Sequence, residues 1–454
     1  MCSAWRCWNN DGSDVMKILI AVHHFPPTFG GGAEWRAYRT ARGLQEAGHQ
    51  VRVVCVDSVT WGDGQTLEHT TTSYDGVDVR RLSFNLEQAT DPFLWSYCNP
   101  LVGEYVSGLL DELKPDLMHL ISGYLMSGST VDAAVEVGVP VVLTLTDYWF
   151  LCPRITLVRS DNSLCTTPAD PLACALCIRN EKRRYRLPDR LTGGAVGHAL
   201  SLIWKHTNDA LIAALSARKS YLFSLFRQID TVISPSKFLK ELFESNGIST
   251  RRFIHMRQGL DLSNWGDTQV PPRNSRLRFG YIGQIARHKG VDTLVDAFKK
   301  LRAGDQAPRL TLYGDHEQFP RFTRQLRKQV ANRSDIVFAG RFEYSSIGRI
   351  HDSIDVLVVP SVWYENSPNV ILEAYASRTP VVVSRLGGMA ELVAHGESGF
   401  HFEAGNAQDL ASVLQRFVDQ PRLAETLGRG SPAVKTVNEE VEELIQVYAT
   451  LEAE

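Results

Sequence analysis

No stretch of the 454 residues is apolar for long. A transmembrane helix needs roughly 18–20 apolar positions. The best candidate, residues 139–152, is too short and is interrupted by Asp147. A helical membrane span is therefore not expected. Residues 1–15 hold Arg6, Asp11 and Asp14 but no apolar core, so they do not read as a secretory signal. A cytoplasmic protein is the expectation. The tail 1–15 is either loose or untranslated, with Met16 as the true start. Charge of one sign is also lacking: 48 Lys and Arg face 51 Asp and Glu, a net −3. Composition therefore gives no argument for nucleic acid as a partner. Eight cysteines are too few for a disulfide scaffold at this length. Short repeats and low-complexity tracts are missing as well. What is present is ordinary for a globular chain, 44% hydrophobic and 22% charged. Its length suits two or three domains.

Apolar strand-like runs alternate with helical stretches. In the first half, strands are expected at 17–25, 51–56, 77–84, 116–120, 139–146 and 229–234. Helices are expected at 33–47, 101–113 and near 130–137, with a long helical stretch at 195–226. The polar segment 264–276, with Pro271 and Pro272, reads as a linker. The alternation then restarts, with strands at 277–282, 309–313, 336–339, 356–359 and 380–384. Helices near 291–301, 319–330, 368–377 and 407–418 separate them. The pattern predicts two doubly wound parallel α/β sheets in tandem. Ligands in such sheets bind at the carboxyl ends of the strands, so a cleft between the units is the expected site.

Three segments carry chemistry. The first is Trp363-Tyr364-Glu365-Asn366-Ser367-Pro368-Asn369-Val370-Ile371-Leu372-Glu373, directly after a strand. Ser367 reads as an N-cap and Pro368 as the first helical residue. The amides of Asn369 and Val370 then make an anion site at the helix start. Glu373 lies one turn further on the same face, and Glu365 just before the cap. Carboxylates beside an anion site suit a ligand with both a diphosphate and hydroxyls; the plain alternative is a capped helix with surface glutamates. The second segment is Gly280-Tyr281-Ile282-Gly283-Gln284-Ile285-Ala286-Arg287-His288-Lys289-Gly290. Gly283 permits close backbone approach, and Lys289 is a point charge suited to phosphate. The third is Gly30-Gly31-Gly32 before a helix, either a phosphate loop or a flexible turn.

Four cysteines cluster as Cys152, twelve residues, Cys165, eight residues, Cys174, two residues, Cys177. They either hold a structural zinc or stand reduced in an ordered loop; the spacing is not that of a standard finger. Residues 179–190 are locally basic, with Arg179, Lys182, Arg183, Arg184, Arg186 and Arg190 against Glu181 and Asp189. That run is either a solvated face or a contact for anionic lipid.

Taken jointly, residues 280–290, 360–376 and 379–392 resemble the donor half of the family-4 retaining glycosyltransferases. Glu365 and Glu373 match that family's glutamate pair, and Gly396-Glu397-Ser398-Gly399-Phe400 its following turn. The Gly30–32 loop, Gly48-His49-Gln50-Val51 and Ser234-Pro235-Ser236 match too, so the resemblance spans nearly the whole chain from Met16. It implies a GT-B architecture, two Rossmann-like domains facing across a cleft. An acceptor-side domain is expected over 16–263, with a Cys-rich insertion at 150–190. After the linker 264–276, a nucleotide-sugar domain follows over 277–428, and helices over 429–454 cross back. The implied activity is metal-independent transfer of a sugar from a nucleotide-diphosphate sugar to a saccharide or lipid-linked acceptor, in cell-surface polysaccharide or glycolipid synthesis. No catalytic cofactor is implied.

By the same resemblance, Lys289 holds the diphosphate and Glu373 the ribose. Glu365, Ser367 and the Asn369 and Val370 amides position the donor, and Gly30, Gly31 and Gly32 close over it. Two departures stand out. Gln284 replaces the arginine common after Gly283, with Arg287 as a partial substitute. Thr146 replaces the histidine common before Asp147, leaving Thr146 or Asp147 to position the sugar; His23 and His24 are other candidates. The cysteine pattern resembles an insertion in a subset of the family. Basic segments in such enzymes also meet membrane-bound acceptors, which places the protein either in the cytoplasm or peripherally on the membrane's inner face. The departures leave two rivals open: a nucleotide-sugar-binding scaffold, or a GT-B epimerase.

Overall fold

The computed structural model describes residues 15–29, 31–62, 66–197, 199–200, 209–263, 265, 276–302, 307–420 and 422–451. Most of the expected tail and linker, Gly30, and part of the 195–226 stretch lie outside them.

The first sheet holds β1 (Lys17–Val22), β2 (Gln50–Thr60), β3 (Leu67–Tyr74), β4 (Val77–Asn85), β5 (Leu117–Ile121), β6 (Val141–Thr144), β7 (Thr231–Ser234) and β8 (Phe253–His255). Its order is β3-β4-β2-β1-β5-β6-β7-β8. The second sheet holds β9 (Arg278–Ile282), β10 (Arg309–Tyr313), β11 (Ile336–Gly340), β12 (Val356–Val359), β13 (Val381–Ser384) and β14 (Gly399–Phe402), ordered β11-β10-β9-β12-β13-β14. Central strands are covered by helices on both faces, so they are apolar throughout. All of β12 and β13 is buried, as is β1 beyond Lys17.

One strand departs from the all-parallel expectation. β3 pairs antiparallel with β4 through the turn at Asp75-Gly76, both at positive φ. Its sequence, Leu-Glu-His-Thr-Thr-Thr-Ser-Tyr, is polar and mostly exposed, so no hydrophobic period betrays it. The Asp-Gly turn between β-branched runs was the available signal. β8 and β14 also lie beyond the expected strands.

Each sheet reverses its winding beside its first strand. β1 lies between β2 and β5, and β9 between β10 and β12. A loop leaving one strand of such a pair goes to one face and its neighbour's loop to the other, which opens a crevice. The loops after β9 and β12 therefore meet.

The helix Val437–Ala449 packs on the first domain. Val441, Leu444, Val447 and Tyr448 lie on one face, all 6% exposed or less, against Ile18, Ile20, Ala37 and Ala41. Each such side chain contributes roughly 1.5–3 kcal/mol of burial. A buried ion pair fixes the register: Arg36 Nη2 donates to Glu440 Oε1 at 2.6 Å, and the Gly259 amide donates to Glu440 Oε2 at 2.6 Å. Nearby, His119 Nδ1 meets the Tyr448 hydroxyl and Nε2 that of Thr144, each at 2.7 Å. Burial pushes the His119 imidazole down to about 3. Among the described residues, no helix is long and apolar enough to cross a membrane.

Candidate active site

The β9 loop makes a single 3-10 turn, Arg287–Lys289, closed by Gly290 at φ 67°. A Cβ on Gly290 would lie 1.9 Å from the Pro360 carbonyl oxygen, so the loops after β9 and β12 touch at backbone distance. The Val362 amide donates to the His288 carbonyl at 2.9 Å across the same seam.

This contact carries Lys289 onto Glu365. The ammonium donates to Oε1 at 2.6 Å. The Ser361 hydroxyl (2.8 Å) and the Trp363 indole N–H (2.7 Å) donate to the same oxygen. Lys289 Nζ also lies 4.8 Å from the Trp363 ring centroid. Glu365 is buried, and burial alone would raise its carboxyl. The Lys289 charge and the three donors outweigh that and hold it below the usual carboxylate value. Glu365 thus lies beneath Lys289 with one oxygen fully engaged.

The helix after β12 begins one residue later than expected. It runs Asn369–Ala376 with Pro368 as N-cap, at an extended ψ of 119°. Ser367 is no cap: its hydroxyl is buried and unpartnered. Pro368 has taken the half-in position, and the Ile371 amide closes a tight first turn on its carbonyl at 3.1 Å. The Asn369 and Val370 amides have no acceptor among the described residues, as helix starts require without a capping side chain. Gln258 donates to the Ser367 carbonyl at 2.9 Å and to the Asn369 side chain, tying this start to the segment after β8.

Glu373, one turn in, is buried. It accepts the Tyr344 hydroxyl at 3.1 Å, with His351 Nε2 at 3.6 Å. That separation is too long for a hydrogen bond, and both His351 nitrogens lack a partner. The Tyr344 ring in turn stacks on Trp35 of the first domain, centroids 6.4 Å apart at 17°.

The facing domain supplies the other wall. Gly31 is the N-cap and Gly32 the first residue of the helix Gly32–Glu46. Its Glu34 carboxylate folds back over Gly31 and pairs with His23 Nε2 at 3.5 Å. Burial would raise Glu34, but His23 lowers it further. His24 stacks on Phe29 at 3.7 Å and bonds the Val56 carbonyl at 2.7 Å, a structural role. Asp147 is engaged within its own loop. Ser122 Oγ (2.5 Å) and Thr146 Oγ1 (3.4 Å) donate to one oxygen and the Trp149 amide to the other (2.8 Å). Tyr148 reaches across and donates to the Tyr364 carbonyl at 3.1 Å; Ser236 donates to Asn366 at 2.7 Å.

The loops after β9 and β12 thus carry Lys289, Glu365, the Asn369 and Val370 amides and Glu373; Thr146, Asp147 and Gly31 belong to the first domain, beside the residues Tyr148 and Trp35 that touch the second. Arg287 does not join Lys289 at Glu365. That guanidinium pairs with Asp292 at 3.2 Å and lies over Phe322, while Gln284 is exposed. Sequence reasoning missed Ser361, Trp363, Tyr344, His351 and Gln258. Trp363 and Ser361 flank Glu365 in sequence, but nothing local marks the other three.

The four thiols Cys152, Cys165, Cys174 and Cys177 line one small cavity in the insertion. Burial, helped by its three thiol neighbours, raises Cys174 to about 12. Among the described residues, no three His, Cys, Asp or Glu side chains stand close enough together to hold a metal ion.

Comparison with known proteins bears on the family and the fold. The family described as glycosyl transferases group 1 matches residues 276–420, and the glycosyl transferase 4-like domain matches residues 31–192. The chain is 25% identical to a glycogen synthase of Mycobacterium tuberculosis over 417 residues, 92% of this chain and 89% of that one. Its fold is similar to sucrose-phosphate synthase from Thermosynechococcus elongatus, with TM-score 0.65, 17% identity, and 96% and 99% of the two chains covered. It is also similar to Anabaena HepE in complex with UDP and glucose, with TM-score 0.64, 16% identity, and 96% and 100% covered. Two winding-reversal crevices facing each other are the GT-B arrangement, and with both halves matched the chain belongs to the group 1 glycosyltransferases.

Proposed function

We propose that the enzyme moves a sugar from a nucleotide-diphosphate sugar to a saccharide or lipid-linked acceptor, with retention of configuration and without a metal. One observation carries this reading. At the carboxyl edge of the second sheet, the loops after β9 and β12 carry the Lys289–Glu365 pair, a helix start with two unpaired amides and, one turn in, the buried Glu373. The amides and Lys289 suit a diphosphate, and stabilise charge on the β-phosphate as it leaves. Glu373 suits the ribose hydroxyls, with Tyr344 displaced from it. Glu365 acts through Lys289, as a positioning residue. Thr146 and Asp147 face the transferred sugar. The HepE neighbour holds UDP and glucose, so uridine nucleotides come first among the donors to test. The setting we favour is cytoplasmic synthesis of a cell-surface polysaccharide or glycolipid, with a lipid-linked acceptor at the membrane's inner face.

For the cysteine loop we propose a bracing role: the four thiols line one cavity but do not stand close enough together here to hold a metal ion, and a zinc would have to draw them in as thiolates. Metal analysis of purified protein is expected to find one zinc per chain, lost in Cys174→Ser/Cys177→Ser. Folded wild-type protein with four freely titrating thiols and no zinc overturns it.

Calorimetric titration with UDP, GDP and ADP tests the donor reading. One nucleotide is expected to bind, at least tenfold more weakly to Lys289→Ala and to Glu373→Ala. Incubation with the matching sugar nucleotide and candidate acceptors, read by NMR at the anomeric carbon, then tests retention. The Arg287–Asp292 pairing favours a second reading, a scaffold that binds donor without turnover, because it leaves Lys289 as the lone side-chain cation of the gathered group. Tight nucleotide binding with no transfer to any acceptor would decide for it.

A further inference from the structure

The insertion after β6 carries a surface that the donor site does not use. Helix Arg183–Leu191 is solvent-exposed except at Tyr185 and Asp189, which are half-buried. At about 100° per residue, Leu187 and Leu191 point outward together, with Arg183, Arg186 and Arg190 along one flank and Arg184 along the other. The two leucines are 40% and 83% exposed.

The neighbouring acids are already engaged. Glu181 pairs with Arg154. Asp189 faces inward, accepting from Asn180 at 3.0 Å and from the Gly197 amide at 2.7 Å. Arg179 is held by Asp209 at 2.6 Å. Lys182, Arg183, Arg184, Arg186 and Arg190 have no acidic partner among the described residues. Four arginines without an acidic partner therefore flank an apolar ridge, Arg184 lying over the Tyr185 ring at 4.9 Å and Lys182 standing at the helix start, on a chain whose net charge is −3. The inward bonds fix the helix's orientation, so its outward face is preset rather than formed on contact.

We propose that this face docks the enzyme on an anionic lipid surface, the arginines at the headgroups and Leu187 and Leu191 in the acyl boundary. A polyanion such as RNA would use the cations but gain nothing from exposed leucines, and this face presents no outward aromatic ring on which bases could stack. The inference is independent of the donor assignment.

Co-sedimentation of the full chain with vesicles tests it. Binding to vesicles containing phosphatidylglycerol is expected, with none to pure phosphatidylcholine, and weakening as salt rises. Each lost cation should weaken partitioning about fivefold. Arg183→Glu/Arg186→Glu/Arg190→Glu is therefore expected to lose at least a hundredfold, and Leu187→Ser/Leu191→Ser about tenfold. Both variants should keep the wild-type melting temperature and nucleotide affinity. Failure of wild type to sediment with anionic vesicles overturns the proposal, as does unchanged binding by the charge-reversed variant. Tighter binding to single-stranded RNA than to vesicles, insensitive to the leucine pair, would overturn it in favour of a polyanion site.

Discussion

Lys289 and Glu365 form one unit, and removing either partner has a different consequence. Lys289→Ala leaves Glu365 buried with two neutral donors, and it also takes away the cation we propose for the diphosphate. Nucleotide affinity is expected to fall at least tenfold, with some loss of stability. Glu365→Gln keeps the ammonium but releases it from its fixed position. The expected result in a transfer assay is a fall in kcat of tenfold or more with little change in nucleotide affinity, because charge is retained and placement is not. A larger effect on affinity than on kcat would sink the positioning role. His119 gives a prediction on stability. Its folded-state value lies near 3 against about 6.5 for an unfolded histidine, so the unfolded chain takes up the proton first as pH falls. Stability from this group is intact above about pH 6.5, is lower by about 2 kcal/mol at pH 5, and falls further toward pH 3. Denaturant melts of wild type and His119→Gln across that range measure it; the variant's curve should be flatter.

The loops after β9 and β12 work only because they touch, and Gly290 is where they touch. Gly290→Ala would put a methyl group into the Pro360 carbonyl, at a φ that already costs an alanine roughly 1 kcal/mol. Chemical denaturation should show a loss above 2 kcal/mol, and nucleotide titration a weakened site, since the Lys289 loop must back away. Elements of this kind were legible in the sequence wherever burial imposes a period. The strand 356–359 and helix 407–418 show it in their apolar spacing, and Gly290 beside Lys289 announced a turn. Legibility ended where the partner is distant. β3 hides because nothing buries it. Tyr344 and His351 reach Glu373 from 29 and 22 positions away, and no local pattern encodes that meeting. The Ser367 assignment failed by one position, because proline can serve as the half-in residue as well as the first turn. Nor does spacing tell where a long side chain will turn: Arg287 turns to Asp292.

At the scale of the molecule, the two domains are joined by more than the segment after β8. Arg36, Glu440 and the Gly259 amide tie the first helix, the late helix Val437–Ala449 and that connecting segment into one buried knot. Arg36→Met would strand a buried carboxylate, with an expected loss of about 3–5 kcal/mol. Arg36→Met/Glu440→Gln should recover part of it, and a double-mutant cycle by chemical denaturation measures the coupling. The order of synthesis adds a constraint. The first domain's outer layer includes residues made some 180 positions after its own last strand. While the second domain is being translated, the faces of Ile18, Ile20, Ala37 and Ala41 wait uncovered for their partners at Val441, Leu444, Val447 and Tyr448. A nascent chain in that interval exposes an apolar surface to whatever is nearby, and a fragment ending at residue 263 would keep it exposed permanently.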